Sequence, residues 1–250
     1  MIKISAVITC FNNQETIEKC LQSLQFVDEI IALDSFSTDK TVEVLKHYNC
    51  VIHQQKFKGY SQQKQDAIDL ANNDWVLLLD SDEFLSQASE SVLSNWKKST
   101  PKADAYDMPR REWVFWQWSH KWVRNNRFVR LFDKSKAHVS KDLIHESIKS
   151  NGPISQLNAV INHFGETSIS KKIEKINAYS QKSAEQKYQK GVRVSPLKLI
   201  IYPPFYFIKQ YLFRRQIFNG WAGLINASLN SRYAYLKYAK LYEIQRNNKG

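Results

Sequence analysis

The chain has only three cysteines, Cys10, Cys20 and Cys50, an odd number without metal-ligand spacing. All three fall inside expected strands or helices, so they read as reduced core residues rather than a disulfide framework. No apolar run reaches the roughly 18 residues of a membrane-spanning helix, and Pro203-Pro204 interrupts the longest. Met1-Ile2-Lys3 opens directly into a strand pattern without the charged start and apolar core of a secretory leader, so a cytoplasmic chain is expected. Internal repeats, low-complexity tracts, a P-loop and any RNA- or DNA-binding motif are missing. Acidic residues are scarce at one end. Residues 171–250 hold 16 Lys and Arg against 3 Asp and Glu, a net of +13, whereas residues 1–170 hold 20 against 21, a net of −1. The +12 of the 250-residue chain therefore resides in its last third.

The most informative stretch is Trp75-Val76-Leu77-Leu78-Leu79-Asp80-Ser81-Asp82-Glu83, an apolar run ending in three carboxylates. The apolar part reads as a strand buried on both faces of a parallel sheet, and the carboxylates sit at its carboxyl end, where open α/β sheets bind ligands. Asp80 and Asp82 lie two apart, so on one extended strand both would point to one side. Short of cationic neighbours, such a pair repels itself unless a cation sits between them. Mg²⁺ or Mn²⁺ bridging a substrate diphosphate suits that arrangement. The alternative is a strand end running into a solvated acidic turn.

Upstream, strand and helix patterns alternate. Residues 2–9 form an apolar strand pattern, and Asn12 with Glu15 three residues on marks a helix start. Ile17, Cys20, Leu21 and Leu24 then repeat at helical spacing. Residues 29–34 form a second strand, and a Ser or Thr of residues 35–39 can cap a helix running through Tyr48. Residues 50–53 read as a third strand and residues 60–71 as a helix before the acidic strand. This β-α-β-α-β-α-β order predicts an α/β fold with a parallel sheet and right-handed crossovers. The polar stretch 94–105 reads as an internal loop.

Three segments, Ala6-Val7-Ile8-Thr9-Cys10-Phe11-Asn12-Asn13, Ile31-Ala32-Leu33-Asp34-Ser35-Phe36-Ser37-Thr38-Asp39-Lys40-Thr41 and Leu79-Asp80-Ser81-Asp82, resemble in order and spacing the signatures of family 2 inverting glycosyltransferases of the GT-A fold. The second half, with Leu143-Ile144-His145-Glu146-Ser147, resembles the subgroup that adds glucose by a β-1,4 linkage to a heptose of the lipopolysaccharide inner core. The resemblance implies a Rossmann-like, mostly parallel sheet flanked by helices, a UDP-sugar donor and Mg²⁺ or Mn²⁺. Many relatives carry a second acidic residue where Ser35 stands here, which leaves Asp34 alone to contact the nucleoside.

On that resemblance, Thr9 and Phe11 line the base, Asp34 accepts from a uracil N–H or ribose hydroxyl, and Asp80 with Ser81 contacts the ribose and metal shell. Asp82 coordinates the metal, Glu83 shapes the turn, and Lys64 approaches the diphosphate. Glu146 is the general base that takes the acceptor proton, and His145 orients it or the substrate. His163, ending the run Val160-Ile161-Asn162-His163, completes the metal shell. The bland alternatives are a helix-capping Asp34, a solvated Lys64, an exposed Glu146 opposite Lys141 or Lys149, and structural histidines at 145 and 163.

Residues 110–130 interleave Trp113, Trp116, Trp118 and Trp122 with six Arg and Lys. Aromatic faces stack on sugars and arginines grip phosphate or carboxylate, so Arg127 and Arg130 are acceptor or diphosphate candidates. A hairpin with core tryptophans and snorkelling arginines is the alternative; single-stranded nucleic acid would also suit the composition.

The expected organisation is a catalytic domain over residues 1–170, with a nucleotide half (1–95) and an acceptor half (96–170). Residues 171–250 follow as a basic, aromatic-rich helical extension. Short amphipathic helices of that composition suit an anionic membrane surface, here the cytoplasmic face of the inner membrane with the chain peripheral to it. Packing of the aromatics against the catalytic domain is the alternative, and no nucleic acid partner is expected. Rival functions are a family 2 transferase with another donor or a polyprenyl-linked or capsular acceptor, and a non-catalytic basic binding protein on the same scaffold.

Overall fold

The computed structural model describes residues 1–140 and 147–248. It divides into two compact units: residues 1–111 with 125–164, and residues 112–124 with everything from Gly165 onward. The first unit begins β1 (Ile4–Cys10), α1 (Ile17–Gln22), β2 (Glu29–Asp34), α2 (Thr41–His47), β3 (Val51–Gln54), α3 (Tyr60–Asp69) and β4 (Trp75–Asp80). Along the chain there follow β5 (Glu83–Leu85), α4 (Gln87–Trp96), β6 (Ala105–Val114), β7 (Gln117–Trp118), β8 (Asn126–Asp133), β9 (Ala137–Val139), β10 (Ile148–Ser150), β11 (Ile154–Gln156) and β12 (Ile161–Glu166), of which β7 and the last residues of β6 and β12 belong to the second unit. The main sheet runs β3-β2-β1-β4-β8-β6-β12-β5, with β7 and β11 each pairing β6 off that path. β1 to β4 are parallel, and β8 turns antiparallel between β4 and β6. The mixed, mostly parallel sheet flanked by helices agrees with the expected fold class.

Both faces of the parallel half are covered, which is why its strands are continuous apolar runs. Ile4, Ala6 and Ile8 of β1 with Leu77 and Leu79 of β4 pack one face against Ile17, Cys20, Leu21, Leu45 and Leu93 of α1, α2 and α4. Val7, Val76 and Leu78 meet Ala67 and Ile68 of α3 on the other face. The registers align the carboxyl ends: Thr9 lies beside Asp80 and Cys10 beside Asp34.

Local starts differ from expectation. Asn12 does not cap α1, which begins after Thr16 without a side-chain cap. Its backbone sits at φ 51°, its N–H donates to Ser37 Oγ at 2.9 Å, and its Oδ1 accepts from Thr38 N–H at 2.8 Å. Partners 25 and 26 residues away outcompete the local cap. At α2 the first-turn N–H of Thr41 donates to Asp39 Oδ1 rather than to a Ser or Thr. α4 extends through Trp96, into the stretch expected as loop.

In the second unit, α5 (Ile169–Gln189), α6 (Pro196–Ile208) and α7 (Gly220–Asn247) follow one another, with a π turn over Lys209–Phe213 and a 3₁₀ turn over Gln216–Asn219 before α7. Ser168 Oγ caps α5 by accepting from Lys171 N–H at 3.1 Å. α6 continues through Pro203 and Pro204 instead of breaking there; Pro203 O accepts from Ser231 Oγ of α7 at 2.7 Å. Of the four clustered tryptophans, Trp113 and Trp118 pack edge to face while Trp116 and Trp122 are exposed. No helix among the described residues is long and apolar enough to cross a membrane.

Candidate active site

The carboxyl ends of β1, β2 and β4 carry Thr9, Asp34 and Asp80 side by side. Asp80 is the last residue of β4, and the chain turns at Ser81 and Asp82. The two aspartates therefore do not share one strand face, and the expected self-repelling pair is not what forms. Instead, Asp80 Oδ1 lies 2.7 Å from Lys64 Nζ and Asp80 Oδ2 lies 3.0 Å from Arg130 Nη2. Burial would raise the Asp80 pKa, but Arg130 and Lys64 overcome it and hold the carboxyl far below the usual carboxylate range. Lys64, reaching from α3, is thus buried and paired rather than solvated.

Glu83 is the hub that the sequence underrated. It has no exposed surface. Its Oε1 accepts from Arg110 Nη1 at 3.0 Å and Arg130 Nη2 at 2.6 Å, and its Oε2 accepts from the Asp80 N–H at 3.0 Å. Arg110 stacks 4.4 Å from the Phe128 ring centroid, a cation–π contact. Glu83 and Asp80 together push the Arg130 pKa up against burial. The alternating charges and aromatics of β6 and β8 were the available sequence signal for Arg110 and Phe128.

These groups open on a cavity of about 350 Å³ lined by Lys64, Arg110, Arg127, Arg130 and Lys149, with Asp80 as the one carboxylate among the described residues; Phe128 and Ser147 also line it. Arg127 has a structural commitment as well: it bonds Asp107 Oδ1 at 2.6 Å and the carbonyls of Asp107 and Leu157 at 2.8 and 3.0 Å. Ser81, within the turn, is buried.

Asp34 is turned inward. It has no exposed surface, and it accepts from the Ser37 N–H and hydroxyl and from Gln54 Nε2. In this conformation it braces the loop 35–39 rather than offering an oxygen to a nucleoside, because four donors already surround it, Cys10 Sγ at 3.7 Å included. The same loop holds Phe36 at φ 62°, a strained setting for a bulky residue. Phe36 and Phe11 are both exposed at the carboxyl edge of the sheet, and Phe36 was not singled out from sequence.

Asp82 Oδ2 lies 3.3 Å from His163 Nε2, bringing the two expected metal ligands together. Among the described residues no three His, Cys, Asp or Glu side chains converge into a metal site. One carboxylate and one imidazole nevertheless fit a divalent ion that takes its remaining oxygens from substrate phosphate and water. Glu146 and His145, the expected base and its orienting partner, lie outside the described residues.

Residues 5–163 match the family described as glycosyl transferase family 2. Over 97% of its length the chain is 30% identical to the lipopolysaccharide core biosynthesis glycosyltransferase LpsC of Rhizobium meliloti, covering 93% of that protein. It is 29% identical over 98% of its length to an uncharacterized glycosyltransferase of Rickettsia typhi, covering 88% of it. Among solved structures, residues 1–349 of S. aureus TarS align with 99% of this chain and 92% of that one at 12% identity and a TM-score of 0.47. A Mycobacterium tuberculosis glucosyl-3-phosphoglycerate synthase complex with Mn²⁺, UDP and glucosyl-3-phosphoglycerate aligns with 44% of each chain at 22% identity and a TM-score of 0.38. The family match spans more than half of the chain, and the chain belongs to glycosyl transferase family 2.

Proposed function

We propose that this chain moves a hexose, glucose, from a UDP-sugar to a heptose of the lipopolysaccharide inner core, inverting the anomeric carbon, at the anionic cytoplasmic face of the inner membrane. One observation carries the reading: a cavity lined, among the described residues, by five cationic side chains and one carboxylate beside the acidic turn of β4. Such a lining suits ligands rich in phosphate, as a nucleotide sugar and a phosphorylated core are. The acceptor class is supported by the 30% identity to LpsC, named for lipopolysaccharide core biosynthesis.

Asp80 holds Lys64 and Arg130 at the cavity wall, so both cations are fixed before the donor arrives and need little reorganisation. Thr9, Phe11 and Ser81 would line the nucleotide, and the inward Asp34 shapes the adjoining loop. Asp82 and His163 would hold Mg²⁺ or Mn²⁺, which when bound offsets the charge of the leaving diphosphate. Glu146, the residue before the cavity-lining Ser147, would take the proton of the attacking heptose hydroxyl; a single base suffices for inversion.

The test is transfer by the purified protein from a panel of UDP-sugars to heptose-terminated core oligosaccharide. UDP-glucose should be the preferred donor, and Asp82→Ala and Glu146→Gln should each lower kcat/KM at least 100-fold, about 2.7 kcal/mol of transition-state stabilisation. Mass spectrometry of lipopolysaccharide from a deletion strain should show a core lacking one hexose. An unaltered core, or transfer from no UDP-sugar, overturns the proposal.

A further inference from the structure

The second unit carries a helix with its apolar side outward. Leu197, Ile200, Ile201, Phe205 and Ile208 of α6 recur at helical spacing and are 44–71% exposed, while Leu199 and Tyr202 on the other side pack with Tyr238 and Leu241 of α7. A helix apolar all round but packed on one side only has half its surface unaccounted for. Beside it, three lysines from three helices converge on one ring. The Nζ atoms of Lys198 (α6), Lys237 (α7) and Lys187 (α5) lie 4.4, 4.9 and 5.8 Å from the Tyr238 ring centroid. Among the described residues none of the three pairs with a carboxylate. Burial, and after it the charges of Lys187 and Lys198, bring the Lys237 pKa down to about 8. Tyrosine faces relieve part of that cost, but three ammonium groups without a counter-charge define a place for an anion.

We propose that α6 seats the chain on an anionic phospholipid bilayer, its outward apolar face entering the interface and Lys187, Lys198 and Lys237 gripping a headgroup phosphate. The apolar face and the cation cluster adjoin on α6: Lys198 stands between the outward Leu197 and Ile201 and the side packed on Tyr238, whose ring its Nζ overlies. A phosphate carried next to acyl chains satisfies both at once, and a free phosphate satisfies only the second. The surrounding charge complements such a surface, with residues 171–250 at +13. This deepens the membrane part of the proposed function and concerns seating alone, not turnover.

The experiment is sedimentation of the full chain with vesicles of phosphatidylcholine, with and without one-third phosphatidylglycerol. The wild type should partition at least tenfold more strongly onto the anionic vesicles. Ile201→Ser with Phe205→Ser should reduce that partitioning at least tenfold, as should the triple change Lys187→Gln, Lys198→Gln and Lys237→Gln, each with an unchanged far-ultraviolet circular dichroism spectrum. Asp82→Ala should bind vesicles as the wild type does, so a failed transferase reading leaves this result standing. Equal binding to neutral and anionic vesicles overturns the proposal, as does wild-type partitioning by either variant. Full displacement by millimolar inorganic phosphate assigns the lysines to free phosphate and likewise overturns it. If the triple variant fails to fold, Lys237→Gln alone, which removes a repulsion, should stay folded and still weaken binding.

Discussion

Glu83 shows how one buried carboxylate can set the electrostatics of a site. Two guanidinium groups and a backbone N–H converge on it. Removing its charge takes from Arg110 and Arg130 their shared partner at a carboxylate with no exposed surface, leaving Arg130 with Asp80 as its carboxylate partner. Breaking a buried pair this way costs about 3–5 kcal/mol, so Glu83→Gln should lose about 3 kcal/mol in urea unfolding; a loss within experimental error would show that the hub is not an energetic one. Asp80 gives a pH signature. Its folded pKa lies below its unfolded one, so its ion pairs contribute stability fully above about pH 4, lost as pH falls through that region towards the folded value. Asp80→Asn should flatten the acid limb of the stability profile, measured by thermal unfolding from neutral to strongly acidic pH. The carboxylates themselves were legible from sequence, because an apolar run ending in acids marks a strand end. Their partners were not: Arg110 and Arg130 stand 27 and 47 residues from Glu83, and nothing local announces such a pairing. Asp34 was likewise legible as a strand-end acid but not as an inward brace, since its donors Ser37 and Gln54 depend on how the loop closes.

At the scale of elements, the parallel half was readable because each strand is buried on both faces and each covering helix repeats its apolar residues with its own period. The helix starts were less so. Asn12 carried a local capping pattern, yet loop contacts across the sheet edge captured both its N–H and its side chain. α6 is the opposite case. Pro203-Pro204 looked like an interruption, but the helix runs through both, because proline's fixed φ is itself compatible with a helical turn, and Ser231 of α7 ties the segment down by donating to the Pro203 carbonyl. The lysine cluster between α5, α6 and α7 yields a further test. Lys237 has a folded pKa of about 8 against 10.5 for the ordinary side chain. The unfolded chain therefore binds more protons between those values, and stability rises with pH across that window. Lys237→Gln should raise the melting temperature at neutral pH and remove the rise, followed by thermal unfolding across the alkaline range. A variant less stable than the wild type at neutral pH would refute the assigned cost of burying Lys237 beside Lys187 and Lys198.

Across the whole molecule, charge is partitioned by sequence position: the N-terminal 170 residues are nearly neutral overall and the C-terminal 80 strongly basic. Within the first unit, cations gather around a cavity at the carboxyl edge of the sheet; within the second, they gather around tyrosines beside an exposed apolar helix face. The proposed transfer from a nucleotide sugar is our account of the first arrangement, and membrane seating is our account of the second. Both draw on phosphate chemistry, so binding in each should weaken as salt rises. In the proposed donor complex Asp82 and His163 act through a divalent ion, and Lys64, Arg110 and Arg130 act directly, to receive a sugar-linked diphosphate. Calorimetric titration of the purified chain with UDP-glucose, with and without Mn²⁺, separates the two contributions. Binding should tighten at least tenfold with Mn²⁺ and lose that dependence in Asp82→Ala. Equal affinity with and without the metal, or an Asp82→Ala variant that still responds to it, would rule out a metal held by Asp82 at the diphosphate.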